Sequence, residues 1–584
     1  MINSFKLILS YEMKQNHLKI CYLNMDKINR RKSLKIIGSI FLALILLVII
    51  GSFFISNLLN PIIDKKLKEG IAESSKGLYH ITYSDLSLNI PAGIIKIKEL
   101  HLRNDSTIYR QLDHAKKAPN IIYDARANAL TISGISFWRI LLYRKINIGA
   151  IDVDSFSTEI TRRPRPYNDD RKSNSNPYNL IKEQFNSIEL GVLNAKGISV
   201  KFVEENNKNS NMQTVKNFDI KVEKFLLDEN SGDDSTRVLY SKNISLYIPE
   251  FETNLADSPY LISLKNLKLS TEDKMLALSN LKVHPTLSLQ SFAKQDKKNK
   301  PMIKLSIDST SITGVNFNKL FKTRIFQADS AQLIGGEFDL AKDKRYQKDN
   351  VNKIGQSPAQ QLMKIPFKFS IRNTKINGID LSYAQISEKY FREGKIDFKN
   401  IRGTINNVSN DSTVLNSNKN MTANLTGDVY GKGKLNALFT FDMLNPAGIY
   451  SYKGSLSAMN VKEFNRILEP LLNFRLINGN VEKILFDMHG TDLKNWGKFT
   501  FDYNHLKIEM LKSPNAGSGK KKILSFIANT FFINDSNPDA NGKYHIGKVD
   551  YNRNPNHPFF KVIWKSLLEG IIQCTGTNPK LLPD

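Results

Sequence analysis

Nine histidines and two cysteines are the side chains of this sequence best suited to metal or nucleophilic chemistry. The histidines (His17, His80, His101, His114, His284, His489, His505, His545 and His557) stand far apart, and none forms the two-His helical spacing of a zinc hydrolase. Cys21 and Cys574 sit near opposite ends, which excludes a multi-cysteine zinc or iron–sulfur site and a disulfide-stapled scaffold. No Gly-x-Ser-x-Gly nucleophile elbow occurs. The stretch NAGSGKKK, Asn515 to Lys522, imitates a phosphate loop. It lacks the first glycine at the required distance, and Lys521 replaces the Ser or Thr that magnesium needs. A flexible basic loop accounts for it better. The expectation is a protein that is not an enzyme, with no catalytic residue, no metal ligand and no cofactor.

What remains is a matter of patterning. The chain has 584 residues, a net charge of +27, and 41% hydrophobic against 24% charged residues, a balance that excludes wholesale disorder. The positive surplus invites a nucleic-acid partner, yet there is no dense arginine helix and no aromatic–basic strand motif to support one. Part of the charge has another use. From Ile36 to Ile63 no formal charge occurs, and the run Ile36 to Ile55 is almost wholly Ile, Leu, Val and Phe. About 20 such residues cross a hydrocarbon layer as one helix. The run is longer than an ordinary signal sequence and no small-residue cleavage site closes it, so a retained anchor is expected over 36–59. Lys27, Arg30, Arg31, Lys32 and Lys35 precede it, which keeps the tail 1–35 cytoplasmic and places the rest across the membrane. Met25 opens this basic cluster and is a second candidate start. Leu59, Ile63, Leu67 and Ile71 then recur at helical spacing, predicting a connecting amphipathic helix over 60–77.

After Gly77 the dominant period becomes two. Ile95, Ile97, Leu100 and Leu102 alternate with polar residues across a one-residue slip that suggests a bulge. Leu435, Ala437, Phe439, Phe441 and Met443 alternate without a break, as do Ile484, Phe486 and Met488, and Phe499, Phe501 and Tyr503. One-sided strands of this kind favour antiparallel sheets, with few short helices between them. The chain also repeats itself. YHITYSDLSL from Tyr79 matches YLISLKNLKL from Tyr260, ISGISFWRIL from Ile132 matches ITGVNFNKLF from Ile312, and GISVKF from Gly197 matches GIDLSY from Gly378, all at nearly one offset. Two related β-rich units, 78–250 and 259–430, are expected. A third β module over 431–515 follows, then a C-terminal loop and amphipathic helices over 516–584. The polar stretch Asp343 to Ser357 reads as a loop. In PFFKVIWKSLLEGII, Phe560, Ile563, Trp564, Leu567 and Ile571 share a helical face beside Lys561 and Lys565. That helix suits a membrane interface, and it suits equally the closing of a sheet end.

GLYHITYSDLSLNIPAGIIKIKELHLRND, directly after a basic tail and one span, resembles the opening of AsmA-like envelope proteins, which include TamB and its relatives. INGNVEKILFDMHGTDLKNWGKFTFDYNHLKIEML, Ile477 to Leu511, looks like their C-terminal region, with Gly479, Gly490 and Gly497 setting off strands and Tyr503, Leu506 and Ile508 closing them. The resemblance, to a shorter member, implies an inner-membrane protein of the Gram-negative envelope. Its N-terminus would be cytoplasmic and its bulk periplasmic, with elongated β-sheets curled into a groove or taco. It implies handling of phospholipid and a part in outer-membrane biogenesis, or a non-enzymatic scaffold for outer-membrane and envelope assembly proteins. Ile95, Ile97, Leu100, Leu102, Leu435, Phe439, Phe441, Phe486, Phe499 and Phe501 are the candidate lining of such a groove. The same alternation would also fill a closed core.

Overall fold

The computed structural model describes residues 64–167, 176–205, 210–255, 258–349, 351–511 and 533–576. The expected tail and transmembrane helix, 1–35 and 36–59, lie outside these residues, as does the basic loop 515–522. Among the described residues no helix is long and apolar enough to cross a membrane. A helix is present over 64–74, within the segment expected to be helical. The protein is mainly β, 54% strand and 17% helix, as the two-residue period requires. The chain divides into two compact units, Met1–Asn194 with Glu204–Ser210, and Ala195–Val203 with Asn211–Asp584.

In the first unit β1 (Tyr79–Thr82) and β2 (Asp85–Asn89) pair antiparallel with successive halves of β3 (Ile94–Asn104), and β3 pairs with β4 (Ile121–Ser133). The strand β4 then pairs with β5 (Lys145–Asp154) and β6 (Ser157–Arg162), and β5 with β7 (Ser187–Glu205). The slip between Ile97 and Leu100 falls on Glu99, whose φ is 51°. Lys98 still faces Ala129 and Leu100 still faces Ala127, so the register is kept and a left-handed kink, not an inserted residue, returns both leucines to the face of the isoleucines. A small core of Leu78, Tyr109, Ala118 and Ile122 holds the helix Ser106–His114, whose first turn is capped by Asp105 accepting from the Thr107 and Ile108 N–H groups.

The second unit holds β8 (Ser210–Leu227), β9 (Asn243–Asn254), β10 (Tyr260–Ser270), β11 (Met275–Pro285), β12 (Met302–Thr313) and β13 (Phe326–Asp343), with antiparallel pairing at every step from β8 to β13. Then comes a departure from the expected antiparallel order: β14 (Phe369–Ile386) lies parallel to β13, Phe326 beside Phe369 and Asp343 beside Ile386. Antiparallel pairing resumes through β15 (Glu393–Ser409), β16 (Asn420–Val429), β17 (Gly433–Asp442), β18 (Tyr450–Leu456), the short β19 (Met459–Asn460), β20 (Phe474–Gly490), β21 (Lys494–Met510) and β22 (Gly547–Asn552). The sheet is therefore mixed.

Matching segments of the repeat carry matching devices. Helices of 7 residues, Phe137–Tyr143 and Phe317–Thr323, each end on a left-handed arginine, Arg144 at φ 52° and Arg324 at φ 56°. Each follows a glycine that only the absence of a Cβ keeps unstrained, Gly134 at φ 68° and Gly314 at φ 67°.

A parallel pair needs a crossover. Residues 344–368 supply it, with a turn at Lys344–Tyr346 and the helix Pro358–Met363, where Ser357 and Gln360 form a reciprocal cap. The stretch expected to be a loop is thus the crossover, and it is anchored. The Arg553 guanidinium, 1% exposed, lies 3.3 Å from Asp492 and donates to the Lys353 carbonyl at 2.7 Å and the His557 carbonyl at 3.0 Å. Asp492 in turn accepts from Gln360 Nε2 at 2.6 Å. One buried cation joins the crossover, the β20–β21 turn and the approach to the last helix. Its burial lowers its pKa, the cost that Asp492 and the carbonyls offset. Arg553→Ala leaves Asp492 and these carbonyls buried and unmatched, so urea denaturation should show a loss on the order of 3–5 kcal/mol.

Candidate functional site

The cross-strand register of the second unit builds continuous rows of like side chains. One row runs Ile220, Leu246, Leu269, Leu276, Ile312, Ala331, Thr374, Ile405, Ala423, Phe439, Tyr452, Met488, Gly497 and Val549, each residue facing the next from β8 to β22. Thr374 carries its only hydroxyl besides the Tyr452 phenol. A second row runs Ile262, Val283, Leu305, Phe338, Leu381, Phe398 and Val429. The opposite face of the same strands presents Lys268, Lys282, Lys304, Lys375 and Arg402, all exposed. Asn266 (φ 51°), Asn280 (φ 49°), Gly335 (φ 63°), Gly378 (φ 75°) and Asn400 (φ 53°) are left-handed positions inside β10, β11, β13, β14 and β15, where the alternation changes phase.

Burial divides this apolar face in two. Toward β22 it is closed. Tyr452 (1%), Met488 (0%), Phe499 (1%) and Tyr503 (2%) lie in a core with Phe559, Ile563 and Cys574 of the helix Phe559–Cys574. That helix approaches closely because two glycines meet: a Cβ added to Gly570 would stand 2.5 Å from Phe499 Cγ, and one added to Gly547 would stand 2.9 Å from Gly570. Its polar side chains dock on β22, Gln573 accepting from the Lys548 N–H at 2.6 Å and Glu569 from the Asp550 N–H at 3.0 Å. Burial pushes the Cys574 thiol up to about 11, so it packs as a small apolar group.

Toward β8 the face is not closed. Ile262, Val283, Leu305, Phe338 and Leu381 are all half-buried, and none belongs to a core cluster among the described residues. Short helices sit at its two rims. Phe317–Thr323 packs Phe317 with Val315, Ala328, Leu269 and Ile312, while Leu289–Gln295 places Phe292 edge-on to Tyr260, ring centroids 6.1 Å apart.

Of the candidate lining residues, Phe441, Phe486, Phe499 and Phe501 are buried beneath or beside the final helix, with Leu435 and Phe439 packed against that core. Ile97 is buried in the first unit, and Ile95, Leu100 and Leu102 are half-buried there. In the final helix Ile563 is buried, Leu567 and Ile571 pack against the core, Trp564 is half-buried, and Phe560 stands out at 64% exposure. The half-exposed rows of β9–β15 were legible as alternation at Leu267, Leu269, Leu281 and Val283, yet only register shows that they align.

Lys342 breaks the rows. It continues the alternation Phe338, Leu340, Lys342 and faces Gln385, next to Tyr383. Burial first, then the Lys344 and Lys353 charges, lower its pKa from 10.5 to about 8, against a smaller opposing effect of Asp296. Burial alone raises Tyr383 to about 12. Histidines find carboxylates, His101 with Asp124 at 3.1 Å and His545 with Asp539 at 2.9 Å. Among the described residues no group of three or more His, Cys, Asp or Glu side chains is placed to hold a metal ion.

Two outcomes follow. Gly570→Ala forces a Cβ into Phe499, so it should destabilise by about 1–3 kcal/mol and speed hydrogen exchange in 559–574. Because the unfolded chain still holds the Lys342 proton that the folded chain releases, stability should rise with pH from about 8 to 10.5. Urea melts of Lys342→Met should lack that rise. No family model matches the chain and no curated protein is similar to it.

Proposed function

We propose that this protein is a non-enzymatic, membrane-anchored handler of phospholipid, with acyl chains lying on the apolar face of β8–β15 as in a curled groove. The observation that carries this reading is the second row, Ile262, Val283, Leu305, Phe338 and Leu381, aligned from strand to strand and half-buried outside every core cluster among the described residues. Water against such a face is costly, and each methylene of an acyl chain laid over it gains about 0.8 kcal/mol. The neighbouring closed core supports the same reading. There the final helix supplies Phe559, Val562 and Ile563 to an identical kind of face, which indicates what sort of surface the rows accept. The resemblance to AsmA-like proteins supplies the setting: an inner-membrane anchor, a periplasmic body and a part in outer-membrane biogenesis.

Mass spectrometry of the full chain purified in mild detergent should find phospholipid bound. Leu305→Glu with Phe338→Glu puts two charges on the second row and should cut the bound phospholipid about tenfold or more. Undiminished phospholipid on the folded double variant would remove the face from consideration.

A further inference from the structure

At one rim the apolar face of the second unit ends in two lysines that form no ion pair among the described residues. Lys342 follows Phe338 and Leu340 on that face and lies two residues beyond the Leu340–Tyr383 pair. Lys344 stands in the next turn, and both are half-buried. Among the described residues neither ammonium group has an ion pair or side-chain hydrogen bond. Asp343 between them is committed to Arg345 at 2.6 Å, and Lys353 to the carbonyls of Lys298 and Asn299. The charges within reach of Lys342 are Lys344, Lys353 and Asp296; those within reach of Lys344 are Glu388 and Lys565 of the last helix. Lys342 lines a shallow surface hollow with Leu289, Phe292, Lys300 and Tyr346, and the Asp296 and Asp343 carboxylates share its wall.

Crowding half-buried ammonium groups is unfavourable, and the protein supplies too few anions here to offset it. A bound anion would. Since the lysines terminate an apolar face, the anion that fits best carries an apolar tail. We infer that Lys342 and Lys344 receive the phosphate of an anionic phospholipid whose acyl chains run back over Leu340, Phe338 and Leu305. This rests on the reading of that face as an acyl-chain surface.

The test loads the full chain in detergent with phosphatidylglycerol, with uncharged diacylglycerol of the same chains, or with inorganic phosphate, and counts bound molecules by native mass spectrometry. The wild type should prefer phosphatidylglycerol over diacylglycerol about tenfold. In Lys342→Gln with Lys344→Gln that preference should fall to about twofold or less, while diacylglycerol binding and the near-ultraviolet dichroism stay as in the wild type. The charge-reversing pair Lys342→Glu with Lys344→Glu should invert it. An unchanged preference in both variants overturns the headgroup site and leaves the acyl-chain surface standing. Binding of inorganic phosphate that displaces phosphatidylglycerol at equal concentration shows a site for the free anion and also overturns the inference. If neither lipid binds, the acyl-chain surface falls, and the headgroup site with it.

Discussion

A strand turns successive side chains to opposite faces, so a sheet keeps one apolar face only if every neighbour holds register. The second unit depends on this constraint from β8 to β22. A slip of one residue would exchange Leu305 for Lys304 or Ser306, and Phe398 for Asp397 or Lys399. In the pairs β10–β11 and β14–β15 the irregularities are matched, whereas β15 against β16 and β20 against β21 shift by one residue. Where β10 changes phase at Asn266, β11 does so at Asn280, and β14 and β15 follow at Gly378 and Asn400. Glu99 has the same part in the first unit. Asparagine and glycine dominate these sites because the left-handed region costs them least.

Much of this was legible before any coordinates. Alternation at Leu435 to Met443 is β17, and the slip between Ile97 and Leu100 is a real irregularity, although a kink and not an inserted residue. The parallel step from β13 to β14 was not legible, because a one-sided strand shows the same pattern whichever way its neighbour runs. Nor was the buried side of the final helix. Hydrophobicity pointed to Phe560, Ile563, Trp564, Leu567 and Ile571, yet closest approach is made through Val562, Ser566 and Gly570, where small residues let the backbone near the sheet. Lys342 escaped notice because a lysine ending an apolar run reads as the start of solvent.

The two treatments of the same face are instructive energetically. Near β22 a helix buries the face and contributes stability; over β10–β14 the row from Ile262 to Leu381 is left half-buried. The closed part also carries the Arg553–Asp492 network, which ties the crossover between β13 and β14 to the approach of the helix. Closure and crossover are thus secured by one buried cation, whereas the half-exposed row is held among the described residues by backbone pairing and rim helices.

The hydrogen bonds from β22 to the last helix have a further consequence. Only one side of β22 pairs with β21; the Lys548 and Asp550 N–H groups point the other way. Left free, they would template an incoming strand from another molecule. Gln573 and Glu569 occupy those donors with side-chain oxygens, so this border of the sheet is sealed against strand addition. The helix that fills the apolar face thereby also terminates the polymer that a long, regular sheet would otherwise invite.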